Sequence, residues 1–350
     1  MLKQFYLFCA GSLLLLTVVS SVSVSQTSNK KLAQTGMKFL VVGTSGRETA
    51  LAEAFTSLEN GSSSMFYNPA GMATFASQVD ASVGRTEWIA DIVHYNFALA
   101  YRPFEGDYGV FGISMQFVNY GDVQSTILAN NTDGYLDVGT FRPSAYAIGI
   151  GYARSLSNKF SLGANIKFVD QNLGEGITAV SYTPNRKNKD SVFATTSSVR
   201  NVLDLLAFDF GILYKTGYKS LAFGMTLRNF SREASFIKES FQLPLSFKMG
   251  ISMNVLDFAD IAKEVHSMNV SVDAEHPRDY PEQLRMGFEY IFQNTLALRY
   301  GYVSPSDQQS NTFGVGLQQS LGGATLNVDY SYSAFKDFNS VQRISFRFGF

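Results

Sequence analysis

Three histidines are the first residues of this sequence that could serve catalysis or metal binding. No two of His94, His266 and His276 have the spacing that metal ligands usually share. A catalytic histidine also needs contact with a nucleophile or an acid, and the sequence alone shows none. We therefore predict that the chain is not an enzyme and has no catalytic residue, no metal and no cofactor. The histidines are interpreted as polar residues of loops or of a polar interior.

Charged residues recur at every second position of several segments, opposite a row of apolar residues. Near the end of the chain, Arg343 and Arg347 alternate with Phe346, Phe348 and Phe350. A period of two places successive side chains on opposite faces of a β-strand, so one face is apolar and the other is charged. This parity predicts the following inward-facing charges: Asp80, Lys167, Asp209, Arg228, Lys248, Asp273, Glu275, Arg285, Glu289, Arg299, Asp329, Arg343 and Arg347.

The inward charges have mixed signs, which suits pairing between neighbouring strands. Lys248, Asp273 and Arg285 lie on adjoining segments and are expected to pair across the strands. We interpret the charged face as a solvated interior that such ion pairs stabilise. An interior of this width would leak unless another part of the chain filled it.

The elements that position these residues are about fourteen alternating segments. Most are long enough for the roughly 9–11 tilted residues of a membrane-spanning strand. The predicted fold class is therefore all-β, a transmembrane antiparallel β-barrel of about 14 strands in which no edge faces lipid. The approximate centres of the segments are Ala81, Phe97, Ile113, Ile148, Ala164, Phe208, Phe223, Met249, Val270, Phe288, Leu298, Val315, Val328 and Phe346.

The connections between the segments alternate in length, as expected for an outer-membrane barrel with short periplasmic turns and longer outer loops. Tight turns are expected near Ser157, Thr216, Gln293 and Gly322. The longer connections run from Tyr120 to Arg142, from Asp170 to Arg200, from Ser231 to Leu243 and from Ser304 to Asn311.

The alternative fold is a soluble β-sandwich, which also has alternating strands. A sandwich would have to bury the charged face in its core or leave the aromatic face in water, and both are unfavourable on this scale. Aromatic residues make up 14% of the chain, and 29 glycines stand against 8 prolines, which favours a barrel wall. The net charge of -1 gives no basic surface for nucleic acid.

The start of the chain is typical of a secretory signal peptide. Lys3 precedes an apolar stretch from Phe5 to Val19, and small residues follow up to Ser25. We expect residues 1–25 to be removed, together with Cys9, the only cysteine. The chain is thus predicted to be exported to the bacterial outer membrane, with membrane lipid as a partner.

The C-terminus carries a second signal of the same kind. Phe346, Phe348 and Phe350 form an alternating row that ends on the last residue. The row resembles the signal that the outer-membrane assembly machinery recognises, and we expect that machinery to be a partner.

Residues 26–76 precede the first clear strand and are the candidate to fill a barrel of residues 77–350. The stretch from Thr49 to Leu58 is helix-like, and Asn60-Gly61 is expected to end it. In the next turn Pro69 fixes its own φ and Gly71 permits a sharp change of direction. We predict an N-terminal plug, or hatch, that contains a short helix and whose turn at Asn68-Pro69 holds the interior shut.

The plug sequence resembles the start of the PorV/PorQ family, within the wider group of FadL-like outer-membrane barrels. The resemblance rests on Gly36 to Leu40, Gly43, Arg47, Ala54-Phe55 and Asn68-Pro69-Ala70-Gly71, and Thr86 to Asp91 fits the next family segment. It implies an inserted hatch with a motif of Arg47, Phe55, Asn68, Pro69, Ala70 and Gly71.

The resemblance implies two functions. PorV-type proteins act in type IX secretion, where they dock or deliver exported cargo together with other secretion components. FadL-type proteins pass hydrophobic small molecules through the barrel wall. Because an apolar molecule needs an apolar path, the predicted interior charges favour secretion, and transport of a hydrophobic small molecule is the alternative. For transport, Trp88 and the connections that start at Tyr120 and Asp170 are the expected outer contacts.

Overall fold

The computed structural model describes residues 35–128, 132–184, 192–236, 239–259 and 261–350. Fourteen of its strands form one closed antiparallel barrel. The prediction of a transmembrane barrel of about 14 strands is confirmed, and each expected segment centre lies in a barrel strand. The predicted signal peptide, residues 1–25, lies outside the described residues.

The barrel strands follow one another around the wall in chain order. Their bounds are β1 (Val79–Glu87), β2 (Val93–Tyr101), β3 (Val110–Asn119), β6 (Ser144–Ser155), β7 (Phe160–Pro184), β8 (Val192–Lys215), β9 (Ala222–Ser231), β12 (Ser246–Asn254), β13 (His266–Pro277), β14 (Gln283–Phe292), β15 (Leu296–Ser304), β16 (Gln309–Leu321), β17 (Ala324–Phe335) and β18 (Val341–Gly349). Two separate hairpins are formed by β4 (Val123–Leu128) with β5 (Tyr135–Phe141) and by β10 (Ala234–Ser235) with β11 (Ser240–Phe241).

The barrel closes where its first strand meets its last. β1 and β18 run antiparallel, with Asp80 opposite Gly349 and Thr86 opposite Arg343. The backbone amides of Val79 and Phe350 each donate to the other residue's carbonyl, at 2.8 and 2.9 Å. The wall therefore has no open edge, which is the condition for a sheet surrounded by lipid.

The outer face of the wall is apolar, and the inner face is polar. On β3, Phe111, Ile113, Met115 and Phe117 are exposed, whereas the residues between them are buried. An apolar surface of this extent suits contact with membrane lipid. Among the described residues, no helix is both long and apolar enough to cross a membrane.

The barrel has two different ends, which we name the turn end and the loop end. The turn end carries Phe350 and short connections such as residues 156–159 and 322–323. The loop end carries the longer connections, including the β4–β5 and β10–β11 hairpins.

One loop-end connection differs from its prediction. The expected loop from Asp170 to Arg200 is a continuation of β7 and β8, which stay paired far beyond the wall. β6 pairs with β7 only as far as Asn172, so residues 173–184 of β7 project by roughly 40 Å at about 3.3 Å per residue. Frequent β-branched residues in this stretch favour an extended strand over an irregular loop.

The described part of the plug, residues 35–76, lies inside the barrel. It contains one short α-helix, α1 (Gly46–Ala50), and the 3₁₀ helices η1 (Lys38–Val41), η2 (Gly61–Phe66) and η3 (Pro69–Thr74). Three further 3₁₀ helices, η4 (Ile89–Asp91), η5 (Pro103–Gly106) and η6 (Val255–Phe258), lie in connections. Phe55, Met65 and Met72 of the plug are among the largest fully buried side chains.

The plug helix is shorter than predicted. The sequence suggests a helix from Thr49 to Leu58, but α1 ends at Ala50. Ala52 and Glu53 have φ values of 52° and 60°, in the left-handed region through which an α-helix does not continue. At and beyond this turn, wall side chains accept hydrogen bonds from the plug backbone, Thr312 from the Ala52 amide and Asp273 from the amides of Phe55 and Thr56.

Candidate functional site: the plug contacts and the loop-end cavities

A network of buried charges around Glu289 attaches the plug to the wall. Arg47 of α1 donates two hydrogen bonds to Glu289 of β14, at 2.8 and 2.9 Å. Arg299 of β15 donates to Glu289 at 2.8 Å and to Asp329 of β17 at 2.7 Å. A two-pronged arginine–carboxylate contact fixes orientation as well as distance. The Arg47 guanidinium also lies 5.3 Å from the centre of the Phe55 ring, so two of the predicted motif residues meet here.

Asp273 binds the plug backbone, and its predicted pairing with Lys248 and Arg285 was wrong. Its carboxylate accepts hydrogen bonds from the Phe55 amide at 3.0 Å, the Thr56 amide at 2.9 Å and the Thr56 hydroxyl at 2.6 Å. Parity places a residue on the inner face but gives only its neighbours in the wall. The plug donors lie nearer to Asp273 than the wall cations do. All three of them donate to the same carboxylate oxygen, Oδ2.

A third attachment lies next to the seam between β1 and β18. Asp80 accepts hydrogen bonds from the amide and the hydroxyl of Ser62, at 2.8 and 2.7 Å. Arg347 donates to Asp80 at 2.8 Å and to the side-chain oxygen of Asn60 at 2.7 Å. Asp80 and Arg347 therefore fix the start of η2 through their contacts with Ser62 and Asn60.

The Asn68-Pro69-Ala70-Gly71 turn is bonded to both plug and wall. The Asn68 amide group donates to the carbonyl of Thr56 at 2.6 Å and to that of Ile212 in β8 at 3.0 Å. Its side-chain oxygen accepts from the Ala70 amide at 3.1 Å. Pro69 is the first residue of η3, where the hydrogen bond that proline cannot donate is not needed.

Two wall glycines make room for this turn. A Cβ on Gly163 of β7 would lie 2.5 Å from the backbone nitrogen of Ala70 and from the carbonyl carbon of Pro69. A Cβ on Gly211 of β8 would overlap the side chain of Asn68. The turn can therefore seat against the wall only because these two strands present glycine there.

Lys167 and Asp209 form a buried ion pair at 2.8 Å, beside an irregular point in the wall. β9 bulges opposite Asp209, where Asn229 has a φ of 60° and donates its amide to Asp209 at 2.8 Å. Lys167 also donates to the Asn229 side chain at 2.6 Å. Arg228, the residue before Asn229, points to the plug and donates to the carbonyl of Leu40 at 3.4 Å.

Paired charges form the floor of a cavity at the loop end. The Lys248 amine lies 3.3 Å from Glu275 of the neighbouring strand and 3.3 Å from Glu53 of the plug. Arg285 donates to Glu275 at 2.6 Å and to the carbonyl of Ala52 at 2.9 Å. Each carboxylate of the floor therefore has a cationic partner.

A cavity of about 660 Å³, which we name the main cavity, opens above this floor. Its upper wall is aromatic, with Trp88, Tyr280, Phe335 and Phe338. Trp88 and Phe335 pack edge to face, with ring centres 5.6 Å apart. The main cavity therefore combines an aromatic upper wall with a charged floor.

A second cavity of about 570 Å³, the side cavity, lies next to the main cavity. Residues Lys38 and Val41 of η1 line both cavities, so η1 forms the partition between them. Lys38 forms an ion pair with Asp279, which also accepts a hydrogen bond from the Thr35 hydroxyl at 2.7 Å. Burial lowers the pKa of Lys38 to about 8, and the adjacent Asp279 carboxylate acts against this shift.

The side cavity contains both Trp88 and Tyr120, two of the expected outer contacts of a transported molecule. Trp88 contacts His94 edge to face, with ring centres 6.3 Å apart, and the Arg343 guanidinium lies 5.6 Å from the Trp88 ring. Across the cavity, the Tyr120 hydroxyl accepts a hydrogen bond from Gln171 at 3.4 Å. Burial raises the pKa of Tyr120.

Inward side chains of β7, together with Lys159 just before it, line three separate openings, and Val169 between two of them is buried in an apolar cluster with the plug. Gln171 lines the side cavity, and Asn165 and Lys167 line a void of about 10 Å³ in the middle. Lys159 and Ser161 line a cavity of about 220 Å³ at the turn end. Between the void and the turn-end cavity, the Asn68–Gly71 turn presses on Gly163.

Several residues of the site were missed by parity because they belong to the plug or to a loop. Glu53 pairs with Lys248, Glu48 accepts from the Asn60 side chain at 2.8 Å, and Asp279 holds Lys38. Glu48 and Glu53 lie in the segment of small residues that was expected to fill the barrel. Their charge within that segment was the signal that could have identified them. The expected solvated interior was also wrong, since the plug packs directly on the charges.

The remaining histidines line none of the cavities described above. His266 is 2.7 Å from the Tyr290 hydroxyl and its ring centre is 5.6 Å from that of Phe292, and His276 is 3.1 Å from Glu282. Within the described residues, no group of three or more histidine, cysteine, aspartate or glutamate side chains could hold a metal ion.

A comparison with protein families places the chain. Residues 15–232, more than half of the chain, match the model of the uncharacterised protein family UPF0164. The chain belongs to this family. No curated protein sequence matches this UPF0164 chain.

Solved structures of similar fold are outer-membrane channels. The monoaromatic hydrocarbon channel CymD matches with a TM-score of 0.56 at 13% identity, covering 88% of the UPF0164 chain and 98% of its own. The toluene transporter TodX of Pseudomonas putida gives 0.52 at 13% identity, with 84% and 94% covered. A FadL homologue of Pseudomonas aeruginosa gives 0.51 at 11% identity, with 88% and 98% covered. At these identities the likeness shows a FadL-like barrel fold.

Proposed function

We propose that this UPF0164 protein lets small apolar molecules pass through the outer membrane, and that a plug of residues 26–76 closes its barrel of residues 77–350 at rest. The observation that carries the proposal is the row of inward side chains on β7. Separate openings lie along this row between the loop end and the turn end. The plug closes the row at two points, in the buried apolar cluster of Val169 with Phe39 and Leu40 and at the Asn68–Gly71 turn. The likeness to CymD and TodX, which are channels for monoaromatic hydrocarbons and for toluene, supports it.

The entrance has a composition that suits such molecules. The aromatic upper wall of the main cavity would attract an apolar molecule, and the combined cavities are large enough for a small ring compound. The plug turn beyond them is held by few direct hydrogen bonds to β8. Movement of this turn away from Gly163 would connect the middle void with the turn end.

Most of the interior charges lie away from this route, although they first favoured secretion, and the buried pair of Lys167 and Asp209 lies on it. The Glu289 network and Asp273 attach the plug on the side of β13 to β17. The proposed route runs along β7, on another side of the plug. Paired charges that face the plug fix its position and leave the apolar part of the cavities free.

The proposal is tested by uptake of phenylnaphthylamine, an apolar dye that fluoresces in the cell envelope. Cells that produce the protein should take up the dye faster than cells with an empty vector, because the outer leaflet of the outer membrane slows apolar molecules. A Val41→Trp variant places a larger side chain between the two cavities and should reduce this increase in dye uptake. Equal uptake with and without assembled protein would refute the proposal.

A second candidate is the docking of exported proteins in type IX secretion, which the PorV/PorQ resemblance implies. One feature supports it. The β7–β8 hairpin extends roughly 40 Å beyond the wall, farther than a loop that only covers a pore requires. Exported cargo and secretion components would then be the partners, with the hairpin as the contact.

Deletion of the gene separates the two candidates. Loss of proteins with C-terminal sorting domains from the culture medium would support secretion. An unchanged medium together with slower dye uptake would leave transport as the function. In both cases membrane lipid and the assembly machinery are the expected partners of the barrel.

A further inference from the structure

His94 is a buried polar residue that the plug contacts do not explain. Its side chain is 2% exposed, and its Nδ1 atom has no hydrogen-bond partner among the described residues. A buried ring nitrogen without a partner is unfavourable, so such atoms usually meet a water molecule or a ligand. His94 lines the side cavity, which lies within the volume range of small-molecule pockets.

The other groups around the side cavity are mostly apolar or already paired. Met37, Phe39, Val42 and Ile92 line it together with Trp88. Among its polar residues, Lys38 is bound to Asp279, and Tyr120 is bound to Gln171. Of the side chains that line this cavity, His94 is the one with a buried polar atom that lacks a hydrogen-bond partner among the described residues, and a ligand could supply that partner.

We propose that the side cavity binds a small aromatic molecule that carries one neutral hydroxyl group, with the ring on Trp88 and the hydroxyl hydrogen-bonded to His94. Aromatic rings pack favourably against Trp88 in offset or edge-on geometry. The imidazole can accept a hydrogen bond at one ring nitrogen and donate at the other, and a hydroxyl group can do both. The inference rests on the proposed transport function and specifies which molecules the entrance selects.

The charges of the cavity disfavour ionised ligands. Among the described residues no carboxylate lines the side cavity, so a cationic ligand would lack a counter-charge there. An anionic ligand would have to compete with Asp279 for Lys38. A neutral hydroxyl group needs neither a counter-charge nor the release of Lys38 from Asp279.

Matched probes test the inference on the full-length protein in lipid nanodiscs. Fluorophenol and fluorotoluene have nearly the same shape but differ in the hydroxyl group, and fluorobenzoate adds a charge. Fluorine NMR gives the Kd of each for the wild type and for His94→Leu and His94→Gln. Comparison at equal lipid removes partition into the bilayer.

We expect both neutral probes to bind the wild type. His94→Leu should weaken fluorophenol about tenfold, which is the loss of one hydrogen bond in a buried site, and should leave fluorotoluene within twofold. His94→Gln, which keeps a hydrogen-bonding side chain, should restore most of the difference.

Each other outcome contradicts the inference in its own way. Equal fluorophenol binding by wild type and His94→Leu, with fluorotoluene still bound, overturns it but leaves the transport function in place. Tighter binding of fluorobenzoate overturns it in favour of an anion site. If no probe binds the wild type, the inference fails together with the proposed entrance.

A second measurement does not depend on assembly of the variants. The chain has three histidines, so ¹⁵N-labelled histidine gives three sets of ring-nitrogen signals. Fluorophenol should shift the signals of one histidine, and fluorotoluene should not. Unchanged signals at saturating fluorophenol would contradict the inference.

Discussion

At the scale of single residues, buried carboxylates of the wall act as acceptors for the plug backbone. Asp273 takes three plug hydrogen bonds at 2.6–3.0 Å, and Asp80 takes two from Ser62. A charged acceptor makes stronger hydrogen bonds than a neutral one, and removing it leaves buried amides unpaired.

Replacing Asp273 with alanine should loosen the plug around residues 55 and 56. We expect a loss of about 3 kcal/mol in local stability, because two amides and one hydroxyl lose their acceptor. Hydrogen exchange of the Phe55 and Thr56 amides, followed by mass spectrometry, measures this directly. Asp273→Asn keeps an acceptor and should exchange only moderately faster. Equal exchange in Asp273→Ala and the wild type would show that the contact is unimportant.

Replacing Gly163 with valine should displace the Asn68–Gly71 turn. The new side chain would overlap Pro69 and Ala70, and overpacking of this kind costs about 1–3 kcal/mol. Cells producing the variant should become more sensitive to large polar antibiotics. Gly176→Val on the same strand is the control, since it lies beyond the wall near Asn201. Unchanged sensitivity in a correctly assembled Gly163 variant would argue against the turn as the closure.

The sequence predicts which residues face inward but not what they bind. Alternation places Asp273, Glu289 and Arg299 on the inner face, because parity follows from strand geometry alone. It cannot show that Asp273 bonds to Thr56, since that contact joins residues 217 positions apart and depends on how the plug folds. For the same reason, the sequence cannot show that the Nδ1 atom of His94 lacks a hydrogen-bond partner.

At the scale of elements, α1 is a short helix whose position depends on the wall. Five residues are too few for a helix to be stable alone. Arg47 anchors it to Glu289, and Thr49 contacts the Ser331 hydroxyl at 2.8 Å. The predicted longer helix fails at Ala52 and Glu53, where the left-handed backbone turns the chain toward Asp273.

A double-mutant cycle should show that Arg47 and Glu289 act together. Arg47→Met leaves Glu289 with Arg299 and Asn269, and Glu289→Leu leaves both arginines without this carboxylate. The double variant should lose less stability than the sum of the single variants, by about 1–3 kcal/mol. The unfolding midpoint of the barrel in denaturant gives the values. Strict additivity would mean that the contact does not hold α1.

At the scale of the whole molecule, the strand count and the closure could be predicted from the sequence, whereas the cavities could not. Fourteen alternating segments with short and long connections define a closed wall. The cavities depend on where η1 and Trp88 lie inside that wall, and no local pattern gives this. The extension of β7 and β8 beyond the wall was missed, although its β-branched residues favour a strand, because no apolar face there marks the alternation of a wall strand.

The C-terminal phenylalanine should be needed for assembly of the barrel. Phe350 also closes the seam through its backbone bonds to Val79, which any residue could make. Phe350→Ser should therefore reduce the amount of folded barrel in the membrane without changing the seam. Heat-dependent migration on a gel separates folded from unfolded barrels. Phe338→Ser, at an exposed aromatic residue of the loop end, is the control and should assemble normally. Normal assembly of Phe350→Ser would refute the predicted role of Phe350 as an assembly signal.

The central claim is that apolar molecules pass when the plug moves, and a reversible lock tests it most directly. Asn68→Cys with Gly211→Cys would join the plug turn to β8, because a Cβ on Gly211 lies 3.0 Å from the Asn68 Cγ, which the new sulfur replaces. Thr49→Cys with Ser331→Cys, whose hydroxyl oxygens are 2.8 Å apart, would form a control bond on the side of the plug that stays attached. Phenylnaphthylamine uptake should fall to the empty-vector rate in the oxidised lock, return after reduction and stay unchanged in the control. Equal uptake by the oxidised and reduced lock would contradict the account.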